Sequence, residues 1–325
     1  MLEKLNCYAA RVSIFLITVA LIAGMVGCDG DGYTPPSEVL QIRDWYDLDA
    51  IRDNLGGNYT LMNDLDSTTP GYEELASPTA NQGKGWKPIG YPDPYNPYRI
   101  DLFTGSFDGQ GYKIRDLFIN RPDESLVGLF GVVGGGHIEN IGVVNVTVTG
   151  DNEVGGLVGH IDDGAVSNSY ATGNVNGERY YVGGLVGCIG GASVSNAYST
   201  GSVTGHAFVG GLVGGGVGNV HNSYSTGNVT GDRDVGGLVG LNFFELTVSN
   251  SFWDTETSGQ ATSAGGTGKT TAEMQDIATF TDTETQGLDK PWDIIAVNPG
   301  QTNPAYIWNI VDDESYPFLI WEFFS

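Results

Sequence analysis

Acid–base, nucleophilic and metal chemistry all need carboxylate, imidazole or thiol groups held within a few ångströms of one another. This 325-residue chain places few of them close together in sequence. The nearest cluster is His160 with Asp162 and Asp163. Glycoside hydrolysis asks for two carboxylates about 5–9.5 Å apart across the bond. Asp162-Asp163-Gly164, however, occupies a slot where later units carry Gly190-Gly191 or Gly218, so a solvated turn is expected there. Gly265-Gly-Thr-Gly-Lys-Thr270 has the ring of a phosphate-binding loop, but Ser263 stands where its first glycine belongs and no buried strand precedes it. From Asp254 the oxygen-bearing residues begin like a calcium loop; the twelfth position is Gly265 rather than Glu, which excludes an EF-hand and leaves only a structural Ca²⁺ of another kind open. No His-Glu-x-x-His and no Gly-x-Ser-x-Gly is present. Cys188 has no second cysteine for a disulfide or a cysteine-based metal cage once Cys7 and Cys28 are assigned to the N-terminal segment, and no histidine lies at a telling spacing from it. The expectation is a chain without catalytic, cofactor or metal residues.

Aromatic residues are the other chemistry on offer. Ser67–Pro97 is a long segment rich in Pro, Gly, Asn and Tyr, and it carries Trp86, Tyr91 and Tyr95, with Tyr98 just beyond. Long ordered loops on rigid scaffolds are where binding tends to sit. These four aromatics are the candidate ligand contacts, suited to stacking on sugar rings; packing against the body of the fold is the competing reading.

A scaffold able to hold such a loop is written into Leu126–Asp254. Val127-Gly-Leu-Phe-Gly131 recurs as Gly155-Gly-Leu-Val-Gly159, Gly183-Gly-Leu-Val-Gly187, Gly210-Gly-Leu-Val-Gly214 and Gly236-Gly-Leu-Val-Gly240, in steps of 28, 28, 27 and 26 residues. A second phrase keeps the same time: Val166-Ser-Asn-Ser-Tyr170, Val194-Ser-Asn-Ala-Tyr198, Val220-His-Asn-Ser-Tyr224 and Val248-Ser-Asn-Ser-Phe252. A third closes each unit at Gly150, Gly177, Gly205 and Gly231. Repetition at this period marks a stacked architecture. Each unit holds three short β-prone phrases and no helical periodicity, which predicts one coil of a right-handed parallel β-helix. Leu157, Leu185, Leu212 and Leu238 should form one inward row, and Val166, Val194, Val220 and Val248 another. Asn168, Asn196, Asn222 and Asn250 should form an amide ladder, with a stacked aromatic row at Tyr170, Tyr198, Tyr224 and Phe252.

These phrases, Val154–Gly159 and Val166–Gly173 above all, resemble the GLUG repeat of bacterial and archaeal surface proteins, which include adhesins and the non-catalytic parts of some IgA-cleaving metallopeptidases. The flanking Phe103–Gly111, Phe252–Gly259 and Tyr316–Trp321 look similar too, and Asn140-Ile-Gly-Val143 departs from the repeat as a terminal coil can. The resemblance implies a surface location and binding rather than a reaction. The Gly-His-Gly and Arg-Ile-Lys motifs of β-helical polygalacturonases are missing. A lyase site would need bases beside a calcium cluster, and Arg179 and Arg233 fall in loops.

At the front, Lys4 and Arg11 precede an apolar run, Val12–Gly27, of about 16 residues, short of the roughly 20 that span a bilayer. It reads as a signal peptide over 1–27, with Met25-Val-Gly-Cys28 as a lipobox and Cys28 as the lipidated residue; an uncleaved anchor is the alternative. Residues 28–36 then form a tether. Residues 37–125 form an N-terminal cap and first coils. In that cap, Asp44 starts a helix with Leu48, Ile51 and Leu55 on its apolar face and Gly56-Gly57 ending it, and Asn58–Asp66 supplies the first strand. Phe103, Phe107, Ile114 and Leu117 are its candidate inward residues. The repeats fill 126–253. Residues 254–325 are a polar loop over Asp254–Gly268, a short helix opened by the capping box Thr270-Thr-Ala-Glu273, and an aromatic end with Trp292, Trp308 and Trp321 that should cover the last coil. Asn58, Asn145 and Asn228 head glycosylation sequons.

Gly is 50 of 325 residues, charged residues are 16%, and the net charge is −25, which turns phosphate polymers away and excludes nucleic acid as a partner. The expected protein is a non-enzymatic lipoprotein of the cell envelope. It would face outward and adhere to or bind a glycan or matrix ligand. A polysaccharide-degrading enzyme with a site near Ser67–Pro97 and a purely structural spacer are the alternatives.

Overall fold

The computed structural model describes residues 38–93 and 96–323. The signal peptide, Cys28 and the tether therefore lie outside the described residues, as does Tyr95. Among the described residues no helix is long and apolar enough to cross a membrane.

The chain winds as a β-solenoid of parallel strands. One inward row runs its whole length: Leu40, Tyr59, Phe107, Ile138, Val166, Val194, Val220 and Val248 are register partners from coil to coil. Leu157, Leu185, Leu212 and Leu238 are fully buried, as are Phe103, Phe107, Ile114 and Leu117. The stack passes through Leu126 without a break, because aromatic rings in the early coils fill the space that valines fill later. Close stacking needs glycine at defined points. A Cβ on Gly227 would stand 1.7 Å from the Gly201 carbonyl oxygen in the coil beside it.

The first strand is Val39–Ile42, which pairs with Asn58–Leu61; the sequence placed the first strand one coil too late. Between them Asp44 caps a helix over Trp45–Asp49 by accepting from the Asp47 amide at 2.8 Å. Trp45, Leu48 and Ile51 are buried, so the helix closes the open end of the barrel.

Ser67–Pro97 is not a loop outside the rhythm. Leu65 and Ile89 bridge in parallel to Ile114 and Phe130, and Gly85 bridges antiparallel to Ile119, so the segment is an irregular coil that joins the stack without using the phrases of the others. At the other end, Asp254–Gly268 is not merely polar loop. Asp254 caps a one-turn helix, Thr255–Ser258, and Thr267–Lys269 pairs as a strand with Phe252–Asp254. Ser263 Oγ accepts from the Leu238 and Val239 amides, which closes the last coil's edge.

The aromatic C-terminus has a different task from the one expected. Gly142, Tyr170, Tyr198, Tyr224 and Phe252 are register partners, and this row faces out of the barrel. Tyr170 and Tyr198 stack at 4.7 Å and Tyr198 and Tyr224 at 4.9 Å, the rings of both pairs nearly parallel, and this separation is the inter-strand spacing itself. Such a hydrophobic row needs cover. Residues 270–323 supply it by running along the flank: Trp292 and Trp308 pack against Tyr224, Phe280 meets Phe252 edge-on, and Trp321 stacks on Tyr170 at 5.4 Å. The aromatic end is a lateral strap, not an end cap. Its polar anchors are Tyr224 Oη to the Pro317 carbonyl at 2.6 Å, Tyr198 Oη to Glu322 at 2.8 Å, and the Asp289 amide to Asn250 at 2.7 Å.

Candidate functional site on the lateral face

The aromatics singled out in the sequence serve the scaffold or escape description. Trp86 is fully buried, not at a binding surface; its indole donates to the Leu129 carbonyl at 3.1 Å and its ring lies 4.5 Å beneath the Arg52 guanidinium. Burial of a large ring in the irregular coil outweighs its display. Tyr91 is half-buried and its hydroxyl donates to Glu124, which also receives Lys84 and Arg121. Burial alone would raise the Glu124 carboxyl, but these three donors outweigh it and bring it down to about 2. Tyr98 lies in the strand Asn96–Ile100 and its side chain is not described.

The discounted motifs also find their places. Asp162 is exposed at the end of the strand Val158–Asp162, and Asp163 is exposed at the bend after it. Lys269 of the phosphate-loop look-alike is buried, with Nζ 5.9 Å from the Phe252 ring centre. Asp254, head of the calcium-like run, is fully buried and its carboxylate accepts from the Glu256 and Thr257 amides and the Thr271 and Tyr316 hydroxyls, at 2.6–3.0 Å. Four donors consume it as a cap.

A different constellation stands out on the lateral face of the middle coils. At one corner of each coil a residue adopts left-handed backbone: Glu153, Tyr181, Phe208 and Asp234, with φ of 56°, 59°, 59° and 50°. The chain meets the same demand elsewhere with Asn140, Asn168, Asn196, Asn222 and Asn250. Asparagine tolerates that conformation, whereas a bulky aromatic there is an outlier that costs on the order of 1–2 kcal/mol. Tyr181 and Phe208 nonetheless hold it, side by side at 4.9 Å between ring centres. Tyr180 lies 5.6 Å from Phe208, and Phe243, 42% exposed, lies 6.0 Å from Tyr181. These rings form a partly exposed aromatic platform on the barrel wall.

Beside it lie Glu153, His160 and Cys188. Strand alternation turns Ile161 and Ile189 inward and their partners His160 and Cys188 outward, in register on neighbouring coils. The Glu153 corner brings its carboxylate to 3.1 Å from His160 Nδ1. One donor atom from each of the three residues falls within 4.8 Å of the others. Burial lowers the imidazole's affinity for its proton, but bonding and charge from Cys188 and Glu153 outweigh this and raise it to about 10. The sequence reading missed this group. The 28-residue separation of His160 and Cys188 equals the repeat length, and that equality was the available signal. A shallow depression of about 590 Å³ in the strap, between Ala296 and Glu314, holds no comparable grouping.

The solenoid and its phrases define a class of repeat protein. Two of the repeats match the GLUG motif family, at residues 150–176 and 178–204. Over 143 residues, 44% of this chain, it is 33% identical to halomucin of Haloquadratum walsbyi, and over 109 residues, 32% of the chain, it is 38% identical to a Gly-rich membrane protein of Evansella cellulosilytica. The chain spans only 2% and 10% of the lengths of these two relatives. A solved structure from Bacteroides ovatus, described as a candidate immunoglobulin A1 protease, superposes with a TM-score of 0.50 at 20% identity, covering 72% of this chain and 71% of that one. At that identity the likeness is one of fold.

Proposed function

We propose that this is a non-enzymatic surface protein, anchored to a membrane through Cys28, whose β-helix presents the platform of Tyr180, Tyr181, Phe208 and Phe243 to an extracellular glycan. The carrying observation is that two bulky aromatics occupy left-handed corners where the coils on either side place Glu153 and Asp234, and keep their rings partly in solvent. Strain of that kind persists where function favours the side chain. Aromatic faces in a row, with polar hydroxyls at their rims, suit the apolar faces of successive sugar rings. The net charge of −25 favours a neutral glycan over an anionic one. Nearby cations are engaged: Arg179 pairs with Asp151 at 2.9 Å and Arg233 lies 3.4 Å from His206. Relatives that include a membrane protein are in keeping with the envelope location.

The test is retention on neutral and acidic polysaccharides, with product chain ends assayed in parallel. Retention should fall at least tenfold in a Tyr181→Ala, Phe208→Ala double variant, with no new chain ends at any time. Retention that survives the double variant would refute the platform. New reducing or unsaturated ends would refute the non-enzymatic reading, and failure to retain any polysaccharide would leave a spacer.

A further inference from the structure

We infer that Glu153, His160 and Cys188 form a binding site for one zinc-class divalent transition-metal ion on the wall of the β-helix. This does not depend on the glycan reading.

The donor set is the first argument. A thiol, an imidazole and a carboxylate are the three ligand types zinc takes, and three protein ligands with a free fourth position is the pattern of an open rather than a closed site. Hard cations such as Ca²⁺ and Mg²⁺ call for oxygen ligands and would not select the sulfur.

Geometry is the second. Ligand bonds of about 2.0–2.3 Å at tetrahedral angles put donors about 3.3–3.6 Å apart. Glu153 and His160 already stand at 3.1 Å, and all three donors fall within 4.8 Å, so side-chain rotation of about an ångström completes the arrangement. All three are half-buried, with room to make that adjustment and a path for the ion from solvent.

Rigidity is the third. His160 and Cys188 are strand partners in a continuous parallel sheet, and Glu153 sits on the fixed corner before Val154, so three separate hydrogen-bonded segments hold the ligands. The neighbouring coils replace these residues: Val132 and Gly215 flank the His160–Cys188 row, and Tyr181, Phe208 and Asp234 continue the Glu153 row. The triad therefore occurs at one level of the stack. That distinguishes it from a scaffold ladder, which would repeat the same residue from coil to coil. On binding, the Cys188 thiol and the protonated His160 imidazole each give a proton to solvent, and thiolate, carboxylate and neutral imidazole then balance the charge of the ion.

Cobalt(II) is the probe, added to the reduced full-length chain in the presence of excess Mg²⁺ to occupy the acidic surface. One equivalent should give a near-ultraviolet sulfur-to-cobalt charge-transfer band and visible bands of four-coordinate intensity, and zinc should displace both. Cys188→Ser should abolish the charge-transfer band, whereas a Cys7→Ser, Cys28→Ser variant should keep it. His160→Gln and Glu153→Gln should each weaken zinc binding at least tenfold. His206→Gln, which breaks the separate His206–Asp232 pair at 2.8 Å, should leave it unchanged. Circular dichroism confirms that each variant is folded. Absence of the band, its persistence in Cys188→Ser, or zinc affinity in the site variants equal to the parent's would overturn the inference.

Discussion

The strap's dependence on Glu322 yields a pH effect whose sign is fixed by the structure. Glu322 accepts from Tyr198 Oη at 2.8 Å and from the Leu319 amide at 2.6 Å, on the apolar flank where the strap meets the tyrosine ladder. Burial raises its carboxyl from 4.5 to about 7, against the opposing pull of those bonds and of Lys113. A carboxyl raised in the folded state binds its proton more tightly there than in the unfolded chain. Its contribution is therefore complete below pH 4.5 and is lost as pH rises through 7. The difference of about 2.5 units, at 1.36 kcal/mol each, sets a ceiling of about 3 kcal/mol; partial solvation of the side chain reduces the measurable part to about 1–2 kcal/mol. Denaturant unfolding followed by tryptophan fluorescence, at pH 5 and pH 8.5, compares the parent with Glu322→Gln. His160, held up to about 10, also loses stabilisation as pH rises above its unfolded value of 6.5, and the difference between the two proteins cancels that contribution. The Gln variant should be the more stable by about 1–2 kcal/mol at pH 8.5, with the gap closing at pH 5. Parallel pH profiles, or a variant that loses stability at pH 8.5, would refute the argument.

Two further outcomes follow from burial and capping. Leu185→Ala removes a fully buried member of the leucine row and should cost about 2–5 kcal/mol in denaturant unfolding, while Ser202→Ala on an exposed strand position should stay within about 0.5 kcal/mol. Asp254→Ala leaves four donors without their acceptor and should cost about 2–4 kcal/mol; hydrogen bonds from Tyr316, Thr271, Thr257 and Glu256 outweigh burial and hold this carboxyl below 3.8, so the parent's share is present above that value and fades as pH falls beneath it, a slope the variant should lack in acid titrations.

What was legible in the sequence was whatever the stack repeats. Leu157 and its three equivalents must be alike because each packs on the next, and the same constraint wrote the tyrosine row into the chain. The asparagines recur for a different reason, a left-handed corner at each of Asn168, Asn196, Asn222 and Asn250, and the expected amide ladder is not completed, since Asn168 Oδ1 has no hydrogen-bond partner. The capping residues Asp44 and Thr270 were readable for a local reason, since a cap is decided within three residues. The irregular coil was not legible. Leu65, Gly85 and Ile89 bridge to Ile114, Ile119 and Phe130, the middle one antiparallel, with a helix and a 3₁₀ turn between Leu65 and Gly85, and pairing leaves no phrase when the spacing is not kept. Trp86 was misplaced because a tryptophan in a Pro- and Tyr-rich stretch looks the same whether it faces solvent or fills an enlarged coil. The strap was misplaced because an outward tyrosine row and an inward one have the same period, and only the partner's position tells them apart.

The same physics explains where a site can arise on such a chain. Inward positions are fixed by packing and outward ladder positions by stacking, so each copy constrains the next toward sameness. Chemistry needs unlike groups side by side, and on a parallel stack unlike groups become neighbours when one row changes identity from coil to coil. The row Val132, His160, Cys188, Gly215, Leu241 changes at every step, and so does the row Glu153, Tyr181, Phe208, Asp234. Both lie on the lateral face, away from the flank that the strap covers. In a single sequence such variability reads as an unimportant turn edge. On a solenoid it is better read vertically: residues one repeat apart are about 4.8 Å apart in space, closer than most residues adjacent along an alternating face. Departures from the repeat, taken in register, therefore mark candidate sites more sharply than the repeat itself.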